Sequence, residues 1–453
     1  MLSSGSVDPM IVALRRTEFS RLDRRNIAYL DYTGAALYAE RQVQSHRTLL
    51  EEGVFGNPHS ESDPSIASTS MIEEARQRIL QFVDADPGVY TVVFTTNASA
   101  AAKVVAESYP FTTASALVLS ADNHNSINGI REYARRAGAT VEYAHLDESL
   151  ILNDPRPLLG QAAATHRGPR LFAFPAQSNF SGIQHPLCLT AEAQRLGYDV
   201  FLDAAAFTPS NALSLRDVSP EFVALSFYKI FGYPTGVGAL VVKKSILHKL
   251  RRPWFAGGTV DFASVQNGIH QLKPSAEAFE DGTPDFLNIA ALAAGFEFLE
   301  TVGMDRVHDH VMRLVARLLD GLDGLHHANR APAIRLYGPW STDGRGGTVA
   351  FNVLTRGGTA LPYPVVERAA RTAGIAIRGG CFCNPGAAER AFGFDALRTS
   401  ECLQSTAEDF TIDRFARCLG ADTAVGAVRA SVGLANNDRD VDRTLDLIRD
   451  LLR

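Results

Sequence analysis

Residues 225–240 read LSFYKIFGYPTGVGAL, a lysine set between an apolar run and a glycine-rich return. The run FVALS (222–226) has the apolar, β-branched and aromatic content of a buried strand, and GALVV (238–242) resumes as another. Lys229 therefore falls just past a strand end. The preceding run VFLD (200–203) finishes on Asp203, so an acid and a lysine occupy the ends of two consecutive strands.

Outward from this stretch, a short apolar run followed by a longer helical segment recurs over roughly 91–243. The other runs are TVVF (91–94), ALVL (116–119), TVEY (140–143) and LFAF (171–174). Buried strands alternating with helices specify an α/β fold with a mostly parallel seven-stranded sheet covered on both faces. Ligands of such sheets bind beyond the carboxyl ends of the strands, so the residues following each run are the site candidates.

After about residue 283 the pattern changes to helices at 286–302 and 305–322, strands at 348–353 and 375–378, and a final helix at 440–452. The expected division is a large domain over 30–283 and a smaller α+β domain built from 1–29 and 284–453. Glycine-rich loops are expected at 337–347 and 355–359.

A chain of 453 residues exceeds one ordinary core, in keeping with two domains and a cleft. Its 46% hydrophobic and 21% charged residues are those of a globular protein, and a formal charge of −6 offers no basic field for nucleic acid. The opening MLSSGSVDPMIVALRR lacks a basic start followed by an apolar stretch, and no later run approaches the ~20 apolar residues that span a bilayer. A cytoplasmic protein with neither nucleic-acid nor membrane partner is expected. The five cysteines, Cys188, Cys381, Cys383, Cys402 and Cys418, are odd in number and sparse, so reduced thiols are expected.

A strand-end lysine beside a strand-end carboxylate suits pyridoxal 5′-phosphate. The amine bonds the aldehyde as a Schiff base, and the carboxylate keeps the pyridinium nitrogen protonated so that the ring accepts electrons. Taken singly, Asp203 and Lys229 read more readily as a cap and a surface charge. The segment TTNASAA (95–101) leaves a strand and opens a helix whose free N–H groups suit a phosphate, with Ser226 on the same sheet edge. His124, in ADNHNSING (121–129), follows another strand and could stack on a planar ring. Asn179, in AQSNFSG (176–182), could hydrogen-bond a ring oxygen or a substrate carboxylate, or simply make a turn. The glycines of 232–238 match neither nucleotide-loop pattern.

RGGCFCNPG (378–386) sets Cys381 and Cys383 one residue apart beside Arg378. Zinc sites pair C-x₂₋₄-C with a second pair that this chain lacks, so no metal is expected. A nucleophilic thiolate needs a mobile, accessible loop, which flanking glycines would allow; a structural pair of buried cysteines remains open. In an extended segment the two side chains would point oppositely, so only one would reach a site.

Together, SFYKIFGYPTGVGALVVKK (226–244), LFAFPAQSNFSG (171–182), FEDGTPDFLNIAAL (279–292), GNPHS (56–60) and RGGCFCNPGA (378–387) resemble the cysteine-desulfurase-like amino-terminal domain of molybdenum cofactor sulfurases. More broadly they resemble class V, fold-type I pyridoxal-phosphate transferases, over about 29–436. The resemblance implies that Lys229 bonds the cofactor, Asp203 pairs with its ring nitrogen, and His124 stacks on the ring and relays protons. It implies phosphate contacts from Asn97, Ala98, Ser99 and Ser226, with Thr283 offered by a neighbouring subunit of a homodimer. Arg378 would grip the substrate carboxylate with help from Asn179, and Cys383, five positions on, would accept sulfur, with Cys381 as second carrier or bystander. Arg429 would bind an anion or make an interdomain salt bridge.

Departures from the pattern are Ala206 and Tyr228, where wider desulfurases often carry Gln and His, so contacts to the ring oxygen should differ with Tyr228 beside the cofactor. Gly379 and Ala388 stand where the sulfurases often have Thr and a third Cys. The implied reaction converts L-cysteine to L-alanine with a persulfide on Cys383, for onward transfer to an acceptor protein or small molecule. A C–S lyase acting on a cysteine conjugate and a sulfur-relay scaffold are the alternatives.

Overall fold

The computed structural model describes residues 8–406, 408–420 and 424–453. All seven expected runs join one sheet: β1 (Tyr90–Thr95), β2 (Ala116–Ser120), β3 (Thr140–Ala144), β4 (Arg170–Pro175), β5 (Asp199–Asp203), β6 (Phe222–Ser226) and β7 (Gly238–Lys243). Their order is β1-β7-β6-β5-β4-β2-β3, parallel except for β7, which runs antiparallel to both neighbours. Strands β2 and β6 are buried at every position, because helices cover both faces and leave no polar side. The period of two still sorts the side chains: Val93, Leu117 and Leu171 enter one core, while Val92, Val118 and Phe172 enter the other.

Register brings the functional strand ends level. Thr95 and Ser226 both pair with Gly238, and Asp203 pairs with Ala224 on one side and Pro175 on the other. Gly238 is required there, since a Cβ would lie 2.4 Å from Asn97 Cα.

A second, antiparallel sheet contains β8 (Ile334–Tyr337), β9 (Thr348–Val353), β10 (Arg378–Gly380) and β11 (Ala427–Ser431), in the order β8-β9-β11-β10. The strand expected at 375–378 is thus two pieces. Ile375–Ala376 pairs with Ala28–Tyr29, and the chain changes sheet at Ile377 to enter β10. Long-range partners decide this break, and nothing in the apolar run itself marks it. The helix expected at 286–302 is likewise Phe286–Ala290 and Leu292–Val302, while Met304–Asp323 and Asp438–Leu451 fall close to the expected positions.

Buried Arg15 in helix Pro9–Thr17 donates to Asp440 at 3.0 Å, tying the N-terminal segment to the final helix. Among the described residues, no single helix is long and apolar enough to cross a membrane.

The expectation of five reduced thiols is wrong at one pair. Helices Ala396–Thr406 and Ile412–Leu419 lie side by side, which brings the Cα atoms of Cys402 and Cys418 to 5.7 Å, and the two cysteines form a disulfide. Cys188, Cys381 and Cys383 are free.

Candidate active site

Lys229 sits in the short helix Phe227–Ile230 that β6 feeds, half-buried beside Asp203 at the end of β5. Burial holds its amine below the ordinary lysine value against the opposing pull of the Asp203 carboxylate. Asp203 Oδ1 accepts the Ala205 N–H at 3.0 Å, which fixes the carboxylate at the strand end. His124 lines the same pocket, and its ring is also held below its ordinary value by burial and by the neighbouring Lys229 charge. Ser126 N–H donates to His124 Nδ1 at 3.1 Å, so the neutral ring carries its proton on Nε2.

Asn97 caps helix Ala98–Ser108, accepting the Ala100 N–H at 3.0 Å, and thereby points the helix N-terminus at the pocket. The Ala98 N–H meets Ser226 Oγ at 2.9 Å, and Ser99 Oγ pairs with Ser126 Oγ. Asn97, Ala98, Ser99 and Ser226 thus form one polar cradle. Tyr228 and Ala206 complete the lining, and the Tyr228 phenol is pushed up by burial. Thr283 is exposed, accepts a 3.4 Å bond from Asn57 Nδ2, and is not part of this chain's pocket lining.

Arg378, expected to grip a carboxylate, has a partner that the sequence did not reveal. Arg378 and Arg429 face each other across β10 and β11, and Asp31 bridges both. Arg378 gives Nε and Nη2 to Asp31 at 3.1 and 2.6 Å, while Arg429 gives Nη2 at 3.2 Å. Arg378 remains half exposed, its side chain 49% accessible. Arg429 is enclosed, pushed down to about 10 by burial, lies over the Phe382 ring and makes the salt bridge to Asp31. Asn179 lines the pocket, and its amide donates one hydrogen bond to the Phe382 carbonyl at 2.6 Å.

The cysteine loop is not extended, and its backbone carbonyls are hydrogen-bonded. Phe382 and Cys383 both take left-handed backbone, at φ 54° and 56°, a conformation unfavourable for side chains of this size. The turn still separates the thiols, though by twist rather than by strand alternation. Cys381 turns inward and donates to the Val425 carbonyl at 3.2 Å, its thiol pushed up to about 11 by burial. Cys383 is exposed, and its thiol bears on the charges of Lys229, Arg378 and Arg429. Asn384, Asp122 and His185, which sequence reasoning passed over, form a buried hydrogen-bonded group behind the loop. One signal was available: Asn384-Pro385 is an N-cap followed by a first-turn proline, and Asn384 does cap Pro385–Phe392.

The sequence profile of the family described as Aminotransferase class-V matches residues 28–444. The chain belongs to the class V aminotransferase family. This class V protein is 34% identical to the molybdenum cofactor sulfurase of Solanum lycopersicum over 466 residues, covering 96% of this chain and 56% of that protein. The chain spans a little over half the length of the curated relatives it matches. In fold it is similar to the apo cysteine desulfurase of Thermococcus onnurineus NA1, at TM-score 0.80 and 24% identity, covering 100% of this chain and 99% of that one. A C-DES mutant with glycine covalently linked to the PLP cofactor superimposes at TM-score 0.70 and 18% identity, covering 96% of this chain and 99% of that one.

Pyridoxal phosphate is the cofactor of class V proteins, and the pocket fits it. The helix N-terminus with Ser99 and Ser226 suits a phosphate, the space beside Asn97 is kept clear by Gly238, and Lys229, Asp203 and His124 supply an amine, a carboxylate and a flat ring. The departures at 379 and 388 also have structural counterparts. A Cβ at Gly379 would lie 2.3 Å from the Tyr363 ring, so glycine goes with that packing, and Ala388 is simply buried beside the cysteine loop.

Proposed function

We propose that the chain withdraws sulfur from L-cysteine, releases L-alanine, and receives the sulfur first on Cys383 for onward transfer to an acceptor. The observation that carries this reading is the division of the two thiols. Cys383 is exposed and bears on Lys229, Arg378 and Arg429, whereas Cys381 is spent on the Val425 carbonyl.

When bound, the cofactor supplies an aldehyde for the substrate amine and an electron sink for the Cα bond. The residues of the chain do the rest. The fork of Arg378, oriented by Asp31, receives the substrate carboxylate. Lys229, whose amine burial holds below its ordinary value, takes the Cα proton and later returns one to Cα, so that L-alanine is released with its Cα–H restored. His124, protonated on Nε2, is placed to pass a proton within the pocket. The Cys383 thiolate attacks the substrate sulfur: the new S–S bond forms, the Cβ–S bond breaks, and Cβ takes a proton to become the alanine methyl group. The substrate sulfur is oxidised to the sulfane level as Cβ is reduced, so no outside oxidant is needed.

We also propose a homodimer. Thr283 stands exposed away from its own pocket, and the hairpin of Val260–Ser264 and Ile269–Leu272 exposes Phe262, Val265 and Ile269. Incubation with L-cysteine tests the reaction: L-alanine is expected, and pyruvate with ammonia would instead mean β-elimination and overturn the desulfuration reading.

A further inference from the structure

We infer that Asn384, working through Asp122, is a positioning residue that fixes the Cys383 thiol and joins its loop to the His124 loop as one unit. Asn384 is fully buried, with 0% accessibility. Its Nδ2 reaches Asp122 Oδ1 at 2.7 Å, the Asp122 carbonyl at 3.1 Å and Asn179 Oδ1 at 3.1 Å, while its Oδ1 accepts the Ala387 N–H at 3.2 Å. Asp122 is itself buried and also accepts from Ser178 Oγ at 2.8 Å and His185 Nε2 at 2.9 Å. A buried carboxylate with this many donors is held in one place, since losing a donor would leave charge without solvent or partner.

The hub closes on the cysteine turn from both sides. Asn179 Nδ2 holds the Phe382 carbonyl at 2.6 Å, and the Asn125 N–H, next to His124, holds the Cys383 carbonyl at 2.7 Å. Behind the turn the chain packs so closely that a Cβ on Gly386 would lie 2.1 Å from the Ala121 carbonyl oxygen. Two consecutive left-handed residues with side chains persist only where their surroundings over-determine them. The carbonyls of both are tied, and the residue that follows them is locked in the hub. The thiol is therefore presented by a preset turn, and a shift of the His124 loop carries Cys383 with it.

The consequence for turnover rests on the proposed sulfur transfer to Cys383, but the positioning itself has an independent readout. In the holoenzyme without substrate, iodoacetamide labelling of Cys383 is followed by mass spectrometry with exposed Cys188 as internal control. Asn384→Ala is expected to change the Cys383 rate by about fivefold or more while Cys188 is unaffected. With L-cysteine the same variant is expected to lose about 100-fold in kcat, as misplacing a reacting group by ~1 Å does, with KM held within about twofold.

Asn384→Asp sets a second carboxylate against Asp122. Adding Asp122→Asn restores a donor–acceptor pair and is expected to recover about tenfold over Asn384→Asp, a coupling that two independent structural defects would not show. Unchanged Cys383 labelling in Asn384→Ala, or a double variant no better than Asn384→Asp in labelling and turnover, overturns the inference. A wild-type protein that forms no persulfide would instead defeat the sulfur-transfer reading, leaving the labelling comparison to decide the positioning role.

Discussion

The two halves of the site are built in different ways. Asp203, Ser226 and Lys229 are placed by backbone: the adjacent strands β5 and β6 end within two residues of each other, and Lys229 follows in the short helix that β6 feeds, so all three reach the pocket edge. Cys383 is placed largely by side chains, in a turn that the backbone alone disfavours and that neighbouring Asn384 ties to Asn179 and Asp122, with the Asn125 N–H, from other parts of the chain. The first kind of placement survives most substitutions nearby, whereas the second depends on single hydrogen bonds.

Lys229→Ala has the largest expected effect. Turnover should fall ~10⁴-fold or more, because one amine both bonds the cofactor and moves the Cα proton. Iodoacetamide labelling of Cys383 should change by less than about fivefold, from loss of the lysine charge alone, since the cysteine turn is not held by the lysine. A matching collapse of labelling would show that the two halves are not separately built.

Opening the Cys402–Cys418 bridge comes next. With the cysteines 16 positions apart, Cys402→Ser should cost about 3 kcal/mol, read as a lower denaturation midpoint. Cys383 labelling should again be unchanged, because the Asp122 hub and not the bridge holds the turn; altered labelling would extend the side-chain-built region into the helical hairpin.

Acid tests the frame that carries both halves. His310 is buried against the Asn436 carbonyl and pushed down to about 4, from 6.5, chiefly by burial. The unfolded chain takes up that proton below about 6.5 and the folded protein only near 4. This contribution to stability is therefore complete above 6.5 and is lost as pH falls toward 4, by about 3 kcal/mol at most. Urea midpoints measured across that window should fall in the wild type and fall less in His310→Gln; equal slopes would contradict the assignment.

Arg378→Lys is the smallest change. An ammonium cannot reproduce the two-point contact with Asp31, so KM for L-cysteine should rise about tenfold with kcat altered by less than about threefold. An unchanged KM would move the carboxylate site away from residue 378.

The same contrast explains what the sequence could show. Apolar runs ending in Asp203 or Ser226, followed by Lys229, carry their meaning locally, and the strand-end rule converts them directly into a site. Asp31 lies 347 residues from Arg378, and Asp122 lies 262 from Asn384, so those pairings depend on the folded topology and leave no local pattern. The disulfide was missed for a related reason: odd, sparse cysteines say nothing about two helices packing side by side. The left-handed turn at Phe382 and Cys383 was not legible because the residues whose hydrogen bonds support it, Asn179 and Asn125, lie elsewhere in the chain.

The central claim is that Cys383, and not Cys381, first takes the sulfur. The most direct measurement is to incubate wild-type, Cys381→Ser and Cys383→Ser proteins with L-cysteine, trap persulfides by alkylation, and locate the added sulfur by peptide mass. Sulfur on residue 383 in the wild type and in Cys381→Ser, with none trapped and no alanine formed in Cys383→Ser, is the expected result. Persulfide on Cys381, or alanine formed at the normal rate by Cys383→Ser, would contradict it.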